Sequence, residues 1–222
     1  VRDGETVLLL DCGFTVPHRL FAEPLGADEL GGVWISHLHG DHSFGLPLLL
    51  LRLWEMGRRR TLVVAGPPGL RERLFDLLDQ AYPGFTDRLG YRVSVQEVAC
   101  GQPFAIAGVE AQVAATEHGV PNLALRLTIA GKNIFYSGDG RATEASIELA
   151  SGCDLVVHEA FTLHGDIEGH GAADELVRRL TGRVGTLAMV HVGRGFRPQV
   201  ADWLAAHPGC AVLPDDDAVF CL

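Results

Sequence analysis

The sequence has no apolar run long enough to cross a bilayer. The longest one near its most polar motif, Leu46 to Leu51, is a fraction of the roughly 20 residues a spanning helix needs. No basic stretch leads into a hydrophobic one after the opening Val1-Arg2-Asp3-Gly4-Glu5, so no secretory signal is expected. Cysteine is sparse and unordered: Cys12, Cys100, Cys153, Cys210 and Cys221 are widely spaced, odd in number and form no C-x-x-C pair. They read as small core residues in a reducing cytoplasm, offering neither nucleophile nor ligand. Positive charge is short as well. With 18 Lys and Arg against 28 Asp and Glu, the formal net charge is -10. Affinity for nucleic acid is built mainly from cations on phosphates, so this disfavours a large polyanionic partner. The one basic run, Arg58-Arg59-Arg60, is expected to be the solvated end of a helix. Repeats, low-complexity tracts and linkers are missing too. At 222 residues, one domain spanning 1–222 is expected, large enough to bury a substantial core.

What the chain does have is Ser36-His37-Leu38-His39-Gly40-Asp41-His42, directly after Gly32-Val33-Trp34-Ile35. Val33 to Ile35 is apolar and β-favouring, so it reads as a strand ending where the histidines begin. Alternate residues of extended chain share a side, which puts His37 and His39 together over one metal ion. Gly40 permits a tight turn that brings Asp41 and His42 round to a second. Imidazole with a carboxylate suits zinc or a similar first-row divalent ion. The plainer alternative is a surface cluster of histidines, which this density of donors disfavours.

Along the chain, Thr6 to Leu10 reads as a strand running into an Asp11-Cys12-Gly13 turn. Phe44 to Met56 and Leu70 to Ala81 carry leucines at helical spacing, with a strand at Leu62 to Ala65 between them. Tyr91–Glu97, Val109–Ala115, Leu123–Ile129 and Asn133–Ser137 are strand candidates, the last two joined by a hairpin turn at Gly131-Lys132. Helices at Thr143–Ala150, Ala172–Leu180 and Gln199–Ala206 then alternate with strands at Leu155–His158 and Thr186–His191. Two closing strands are expected near Ala211–Leu213 and Ala218–Cys221. This order fits an α/β protein of two sheets covered by helices. Further polar candidates fall just beyond expected strands, where sites are assembled: His118, Asp139 between glycines, His158-Glu159 and His191. A lone histidine at such a place is more often an ordinary hydrogen-bonded residue. Taken together with the motif, His37, His39, Asp41, His42, His118, Asp139 and His191 make seven candidate metal ligands.

His-Leu-His-Gly-Asp-His, a later His, Ser-Gly-Asp and a late His after an apolar strand resemble, in that order, the metallo-β-lactamase superfamily. The resemblance covers nearly the whole chain. It implies an αββα sandwich of two mixed β-sheets covered by helices. It also implies a dinuclear site with His37, His39 and His118 on one ion, Asp41, His42 and His191 on the other, and Asp139 bridging. His39-Gly-Asp-His-Ser-Phe-Gly-Leu-Pro-Leu-Leu-Leu50, Glu117-His118-Gly-Val-Pro121, His158-Glu159-Ala160-Phe161, Gly169-His170 and His191-Val-Gly-Arg194-Gly-Phe196 resemble ribonuclease Z and its phosphodiesterase relatives. In those proteins a Glu and a His assist the leaving group, which implies Glu159 and His170 here, with His164 as competitor for the second role.

The chain departs from that pattern in places. The usual opening strand and glycine turn before the segment equivalent to Thr6–Gly13 are not seen, so an N-terminal strand is expected to be missing. Gly140 stands where Thr is usual, and Gly171 where Ser or Thr usually follows the histidine. Ribonuclease Z carries a tRNA-gripping arm between the third metal motif and the bridging Asp, whereas His118 to Asp139 leaves room here for one hairpin only. The resemblance therefore implies a phosphodiesterase acting on a small phosphodiester through a metal-bridging hydroxide, with Asp41 orienting the water. The alternatives are an arm-less RNA endonuclease, a lactone, thioester or amide hydrolase of the same fold, and a non-catalytic metal-binding module. Two divalent ions per chain are implied, zinc first, with Mn2+ or Fe2+ as alternatives. The implied partner is the small substrate, with nucleic acid disfavoured, no membrane, and a homodimer left open.

Overall fold

The computed structural model describes residues 1–4, 6–209 and 211–222. They form two compact units, Val1–Ala99 with Phe104–Val109, and Cys100–Pro103 with Glu110–Leu222.

The first unit is a sheet with helices. Its elements are β1 (Arg2–Asp3), β2 (Thr6–Leu10), α1 (Val16–Leu20), β3 (Leu30–Trp34), α2 (Gly40–Ser43), α3 (Leu46–Glu55), β4 (Leu62–Gly66), α4 (Leu70–Ala81), β5 (Val93–Glu97) and β6 (Phe104–Ile106). The sheet runs in the order β1-β2-β3-β4-β5. The β1–β2 pair is antiparallel and the remaining pairs are parallel. Parallel strands are covered on both faces, so they read as continuous apolar runs, and β3 and β4 are buried along nearly their whole length. Leu46, Leu49, Leu50 and Leu53 of α3 pack with Leu70, Leu74 and Leu78 of α4 in one core with Val33, Ile35, Leu62 and Val64. At the ends of β2 and β3 stand Asp11 and the histidine motif, at the carboxyl edge of the parallel strands where such folds place ligands.

The second unit holds β7 (Val109–Ala115, its first residue grouped with the first unit), β8 (Leu123–Ile129), β9 (Lys132–Tyr136), α5 (Glu144–Ala150), β10 (Leu155–Glu159), α6 (Ala173–Leu180), β11 (Thr186–Val190) and α7 (Arg197–Ala206). Its strands are ordered β11-β10-β9-β8-β7. The pairs β7–β8 and β8–β9 are antiparallel, and β9–β10 and β10–β11 parallel. Leu176 and Leu180 of α6, Val200 and Leu204 of α7 and Ile147 of α5 pack against Phe135, Val156, Leu187 and Met189. Thr143 caps α5, its hydroxyl accepting the Ser146 amide at 3.1 Å while Ser146 Oγ accepts the Thr143 amide at 2.9 Å.

Several details differ from the sequence reading. The expected helix from Phe44 to Met56 forms as α3, Leu46–Glu55, with Gly45 as its N-cap. A Cβ on Gly45 would lie 2.2 Å from the Gly13 carbonyl oxygen, so the backbone of the Cys12-Gly13 turn occupies the space a side chain would need there. Gly40 does not make a tight turn but opens α2. The β8–β9 turn is Ala130-Gly131, one residue earlier than expected, with φ of 50° and 74° and Lys132 paired to Ile129. That is the two-residue turn whose twist matches a hairpin. The expected strands at Ala211–Leu213 and Ala218–Cys221 do not form. Val212 makes a single bridge to Ala188, and the last segment stays exposed behind Asp215-Asp216-Asp217, which give it no face to bury. A two-residue strand, Arg2–Asp3, pairs antiparallel with β2. Of the cysteines, Cys12 and Cys153 are buried core residues as expected, Cys100 and Cys221 are exposed, and Cys210 lies outside the described residues. Burial pushes the Cys12 thiol well above its usual range. No helix of the described residues is long and apolar enough to cross a membrane.

The basic run is the clearest correction. Arg58 is not solvated; it is 2% exposed. Its guanidinium donates to the carbonyls of Ala27 at 2.7 Å, Arg60 at 2.9 Å and Thr61 at 3.0 Å, and lies over the Tyr91 ring. A buried cation is tolerated because its donors meet acceptors in the fork geometry only arginine has. Arg58→Ala would strand those carbonyls. It is expected to lower unfolding free energy by about 2–4 kcal/mol in urea titration, whereas exposed Arg59→Ala should shift it by less than about 0.5 kcal/mol. Equal effects would return Arg58 to the surface.

Candidate functional site

In the first unit the site begins where β3 stops. The chain passes Ile35 and Ser36, places His37 and His39, and turns into α2 with His39 as its N-cap. The amides of His42 and Ser43 donate to the His39 carbonyl at 3.2 and 3.0 Å, so the helical turn carries Asp41 and His42 round together. His37 and His39 do come together, though not within a strand: His37 Nε2 and His39 Nδ1 are 3.1 Å apart. Two nitrogens each about 2.0–2.1 Å from one tetrahedral ion would be separated by roughly 3.3 Å. His42 Nε2 lies 3.7 Å from Asp41 Oδ2, and the His37 and His42 rings are 4.1 Å apart. His37 is fully buried while the Asp41 carboxylate is half-exposed.

The residue that sequence reasoning missed is Asp11. It is buried, with φ of 61°, at the end of β2. One carboxylate oxygen accepts the Ser36 amide at 2.7 Å. The other accepts the Ser36 hydroxyl at 2.7 Å and His42 Nδ1–H at 2.6 Å. Since the Ser36 hydroxyl gives its only proton to Asp11, it must accept from His37 Nδ1–H, 3.0 Å away. Both imidazoles are thereby held in the tautomer that leaves Nε2 as a lone pair. The only signal in the sequence was an acidic residue closing an apolar strand, and nothing there tied it to residues 25 and 31 positions later.

The second unit gathers its candidates at the ends of β7, β9, β10 and β11. His118 follows β7, and its Nδ1–H donates to the Gly169 carbonyl at 2.8 Å, again leaving Nε2 as the lone pair. Asp139 sits beyond β9 in a backbone loop gripped by Asn122. Asn122 Nδ2 donates to the carbonyls of Ser137 at 2.8 Å and Asp139 at 2.6 Å. His191, just past β11, adopts φ of 51°, a left-handed conformation uncommon for a non-glycine residue. Its Nδ1 is 3.5 Å from Asp139 Oδ1 and 3.8 Å from Glu159 Oε1.

Glu159 is fully buried. One of its oxygens accepts the Gly140 amide and the other accepts His170 Nδ1–H. His170 Nε2 is therefore the nitrogen left facing outward, and Phe161 stacks on the ring at 4.5 Å. Donor atoms of Glu159, His170 and His191 all lie within 4.8 Å of one another. His164 is placed apart, its Nδ1 donating to Asp174 at 2.8 Å. His158 is wholly buried and donates to the Glu159 carbonyl at 2.8 Å, and burial holds its pKa below the usual histidine range. Asn122 and Phe161, like Asp11, were missed by the sequence reading. The donors present are imidazoles and carboxylates, and three of the histidines have Nδ1 committed to an acceptor. This set fits first-row divalent ions.

Comparison with known proteins follows this geometry. The family described as Anti-Pycsar protein Apyc1 matches residues 1–199. A ribonuclease Z of Macrococcus caseolyticus (strain JCSC5402) is 25% identical over 269 residues, covering 94% of this chain and 87% of the relative. That alignment is longer than the 222 residues here, so this chain passes through it with gaps. The short form of human tRNase Z (ELAC1) superposes with a TM-score of 0.74 at 21% identity, over 88% of this chain and 85% of that one. A diphosphatase from the PhnP family gives a TM-score of 0.75 at 15% identity, over 97% and 79%. The fold, two sheets flanked by helices, is the metallo-β-lactamase fold.

Asp11 touches the donors without belonging to the set expected to hold metal. Asp11→Ala is expected to weaken zinc binding about 10–100-fold, the usual cost of losing such a supporting carboxylate. Competition with a chromogenic chelator would measure it. Unchanged affinity would show that the tautomers of His37 and His42 need no such support.

Proposed function

The chain belongs to the family described as Anti-Pycsar protein Apyc1, within the metallo-β-lactamase superfamily of hydrolases, and we propose that it hydrolyses a small phosphodiester. The observation that carries this reading is the Glu159–His170 pair beside Asp139 and His191: a proton donor, fixed by a buried carboxylate, next to metal-type donors. A leaving alkoxide needs such a proton far more than an activated acyl group does. The relatives support the same chemistry by their names, since ribonuclease Z, tRNase Z and a diphosphatase all act at phosphorus.

His37, His39 and His118 are the proposed donors to one ion, Asp41, His42 and His191 to a second, and Asp139 to both. Bound divalent ions, zinc first with manganese or iron(II) as alternatives, supply an acidified water and positive charge against the phosphoryl oxygens. The chain's own residues do the rest. Asp41 has 55% of its side chain exposed, so it can reach solvent, orient the attacking water and accept its proton. Glu159 holds His170 through Nδ1, so that a proton on Nε2 can be given to the departing oxygen. Phe161 keeps the ring in plane.

A small substrate is favoured over RNA on two grounds. The interval from His118 to Asp139 is filled by β8, a two-residue turn and β9, with no arm among the described residues. The net charge of -10 offers little to a polyanion. The four described cysteines are all unpaired thiols, which supports a reducing cytoplasm as its place.

With zinc- or manganese-loaded protein, bis(p-nitrophenyl) phosphate should be turned over well, and a lactone, a thioester and a pre-tRNA poorly. Preferential lactone hydrolysis would move the enzyme to acyl chemistry, and efficient 3′ cleavage of pre-tRNA at physiological salt would make it an RNA endonuclease. His170→Ala should keep its metal yet lose roughly 10²–10⁴-fold in turnover of an alkoxide-leaving diester, the worth of a positioned acid. The loss should shrink for p-nitrophenolate, which leaves unprotonated. Equal losses would reduce His170 to a phosphate-binding residue.

A further inference from the structure

The loop that carries His170, residues 164–171, is tethered on several sides within the second unit. Gly165 and Gly169 adopt φ of 96° and 72°, left-handed conformations that glycine takes without steric cost, on either side of Asp166, Ile167 and Glu168. The His170 amide donates back to the Ile167 carbonyl at 3.0 Å, so that segment is tied to His170. Two tethers run to the site itself, from His118 to the Gly169 carbonyl and from His170 to Glu159. A third is different in kind. Arg141 reaches across and pairs with Asp166 through its guanidinium.

Arg141 is well placed to act as an anchor. Its amide donates to the Glu117 carbonyl at 2.8 Å and its carbonyl accepts the Glu117 amide at 3.0 Å, so its backbone is paired to the residue before His118. It is two residues beyond Asp139 and follows Gly140, whose amide binds Glu159. Its side chain is 23% exposed while that of Asp166 is 80% exposed, so a largely buried cation holds a solvated carboxylate. Neither side chain is in the proposed donor set.

We propose that Arg141 is a positioning residue: by pairing with Asp166 it latches the His170 loop closed and sets how often the imidazole stands over the leaving oxygen. The inference rests on the reading of His170 as the acid. Because the pair is largely solvated, its effect is modest and screened by salt. The latch makes protonation of poor leaving groups sensitive to ionic strength.

The test uses the full chain loaded with zinc. Asp166→Asn and Arg141→Gln should each lower turnover of an alkoxide-leaving diester about two- to fivefold, the range of an exposed ion pair. Turnover of the p-nitrophenyl ester and zinc content should be unchanged. Arg141→Lys should retain most of the activity. In the parent protein, raising salt to 1 M should cost the same factor for the alkoxide ester, and the variants should be insensitive to it. Independently of activity, hydrogen exchange in the 163–171 segment should quicken in both variants. If exchange and alkoxide turnover both stay at parental values, the latch is refuted, as it is if both esters lose equally. His170→Ala is run in parallel. If it shows no leaving-group dependence, the acid reading has failed and Arg141 loses the role assigned to it. If it shows that dependence while Asp166→Asn does not, only the latch falls.

Discussion

A neutral imidazole can ligate through one nitrogen only if its other nitrogen has somewhere to put a proton. Much of this structure is arranged around that constraint. Asp11 accepts from His42 directly and from His37 through the Ser36 hydroxyl, and the Gly169 carbonyl accepts from His118. In each case Nδ1 is occupied and Nε2 is presented. The acceptors are not incidental. Asp11 sits in a left-handed backbone conformation at the end of β2, and Gly169 in one on the His170 loop. Gly169 takes that conformation freely as a glycine, whereas at Asp11 the chain holds a non-glycine residue in it to aim an acceptor at a histidine.

Glycine provides the room for this. A Cβ on Gly13 would stand 1.8 Å from the Asp41 carbonyl oxygen, so the turn after Asp11 is pressed directly on the loop that carries Asp41 and His42. The Cys12 amide donates to the His42 carbonyl at 2.7 Å and the Gly45 amide to the Cys12 carbonyl at 2.8 Å, which closes the two segments on each other. Parallel strands β2 and β3 bring them side by side in the first place. The core of leucines from α3 and α4 beneath them is therefore a mounting for the donors, and the short helix α2 is the part that turns the last two toward it.

Glu159 plays the corresponding part in the second unit. It is buried without a cation in contact, and its charge is met by the Gly140 amide and the His170 ring, with His191 nearby. That carboxylate fixes the His170 ring through Nδ1 and so sets which way the imidazole is turned. The Arg58 guanidinium meets the same demand in the first unit with carbonyls alone, and there the result is purely structural. Buried charge is thus used twice in this protein, once to fasten a loop of the core and once to hold the His170 ring.

Much of the fold could be read from the sequence, because local pattern decides it. The leucine spacing of Leu70–Ala81 set that helix to the residue, and the apolar runs of β2, β7 and β8 set those strands to theirs. The residue types of the site could be read too, since histidines and aspartates at strand ends are chemically conspicuous. What could not be read was partnership. Arg58 looked solvated because one of its acceptors, Ala27, lies 31 residues away and comes close only in the folded unit. Ala218–Cys221 looked like a strand because apolar residues favour one, but a strand needs a neighbour and the fold offers none. The sequence favoured His170 over His164 as the partner of Glu159 through resemblance alone. Tertiary structure puts His170 on Glu159 and His164 on Asp174. By itself, then, the sequence determined which groups were available and which segments would be helix or strand. Only the tertiary structure decided which nitrogen of each histidine carries the proton and which carboxylate receives it, because a hydrogen bond depends on atoms a few ångströms apart, whatever their separation along the chain.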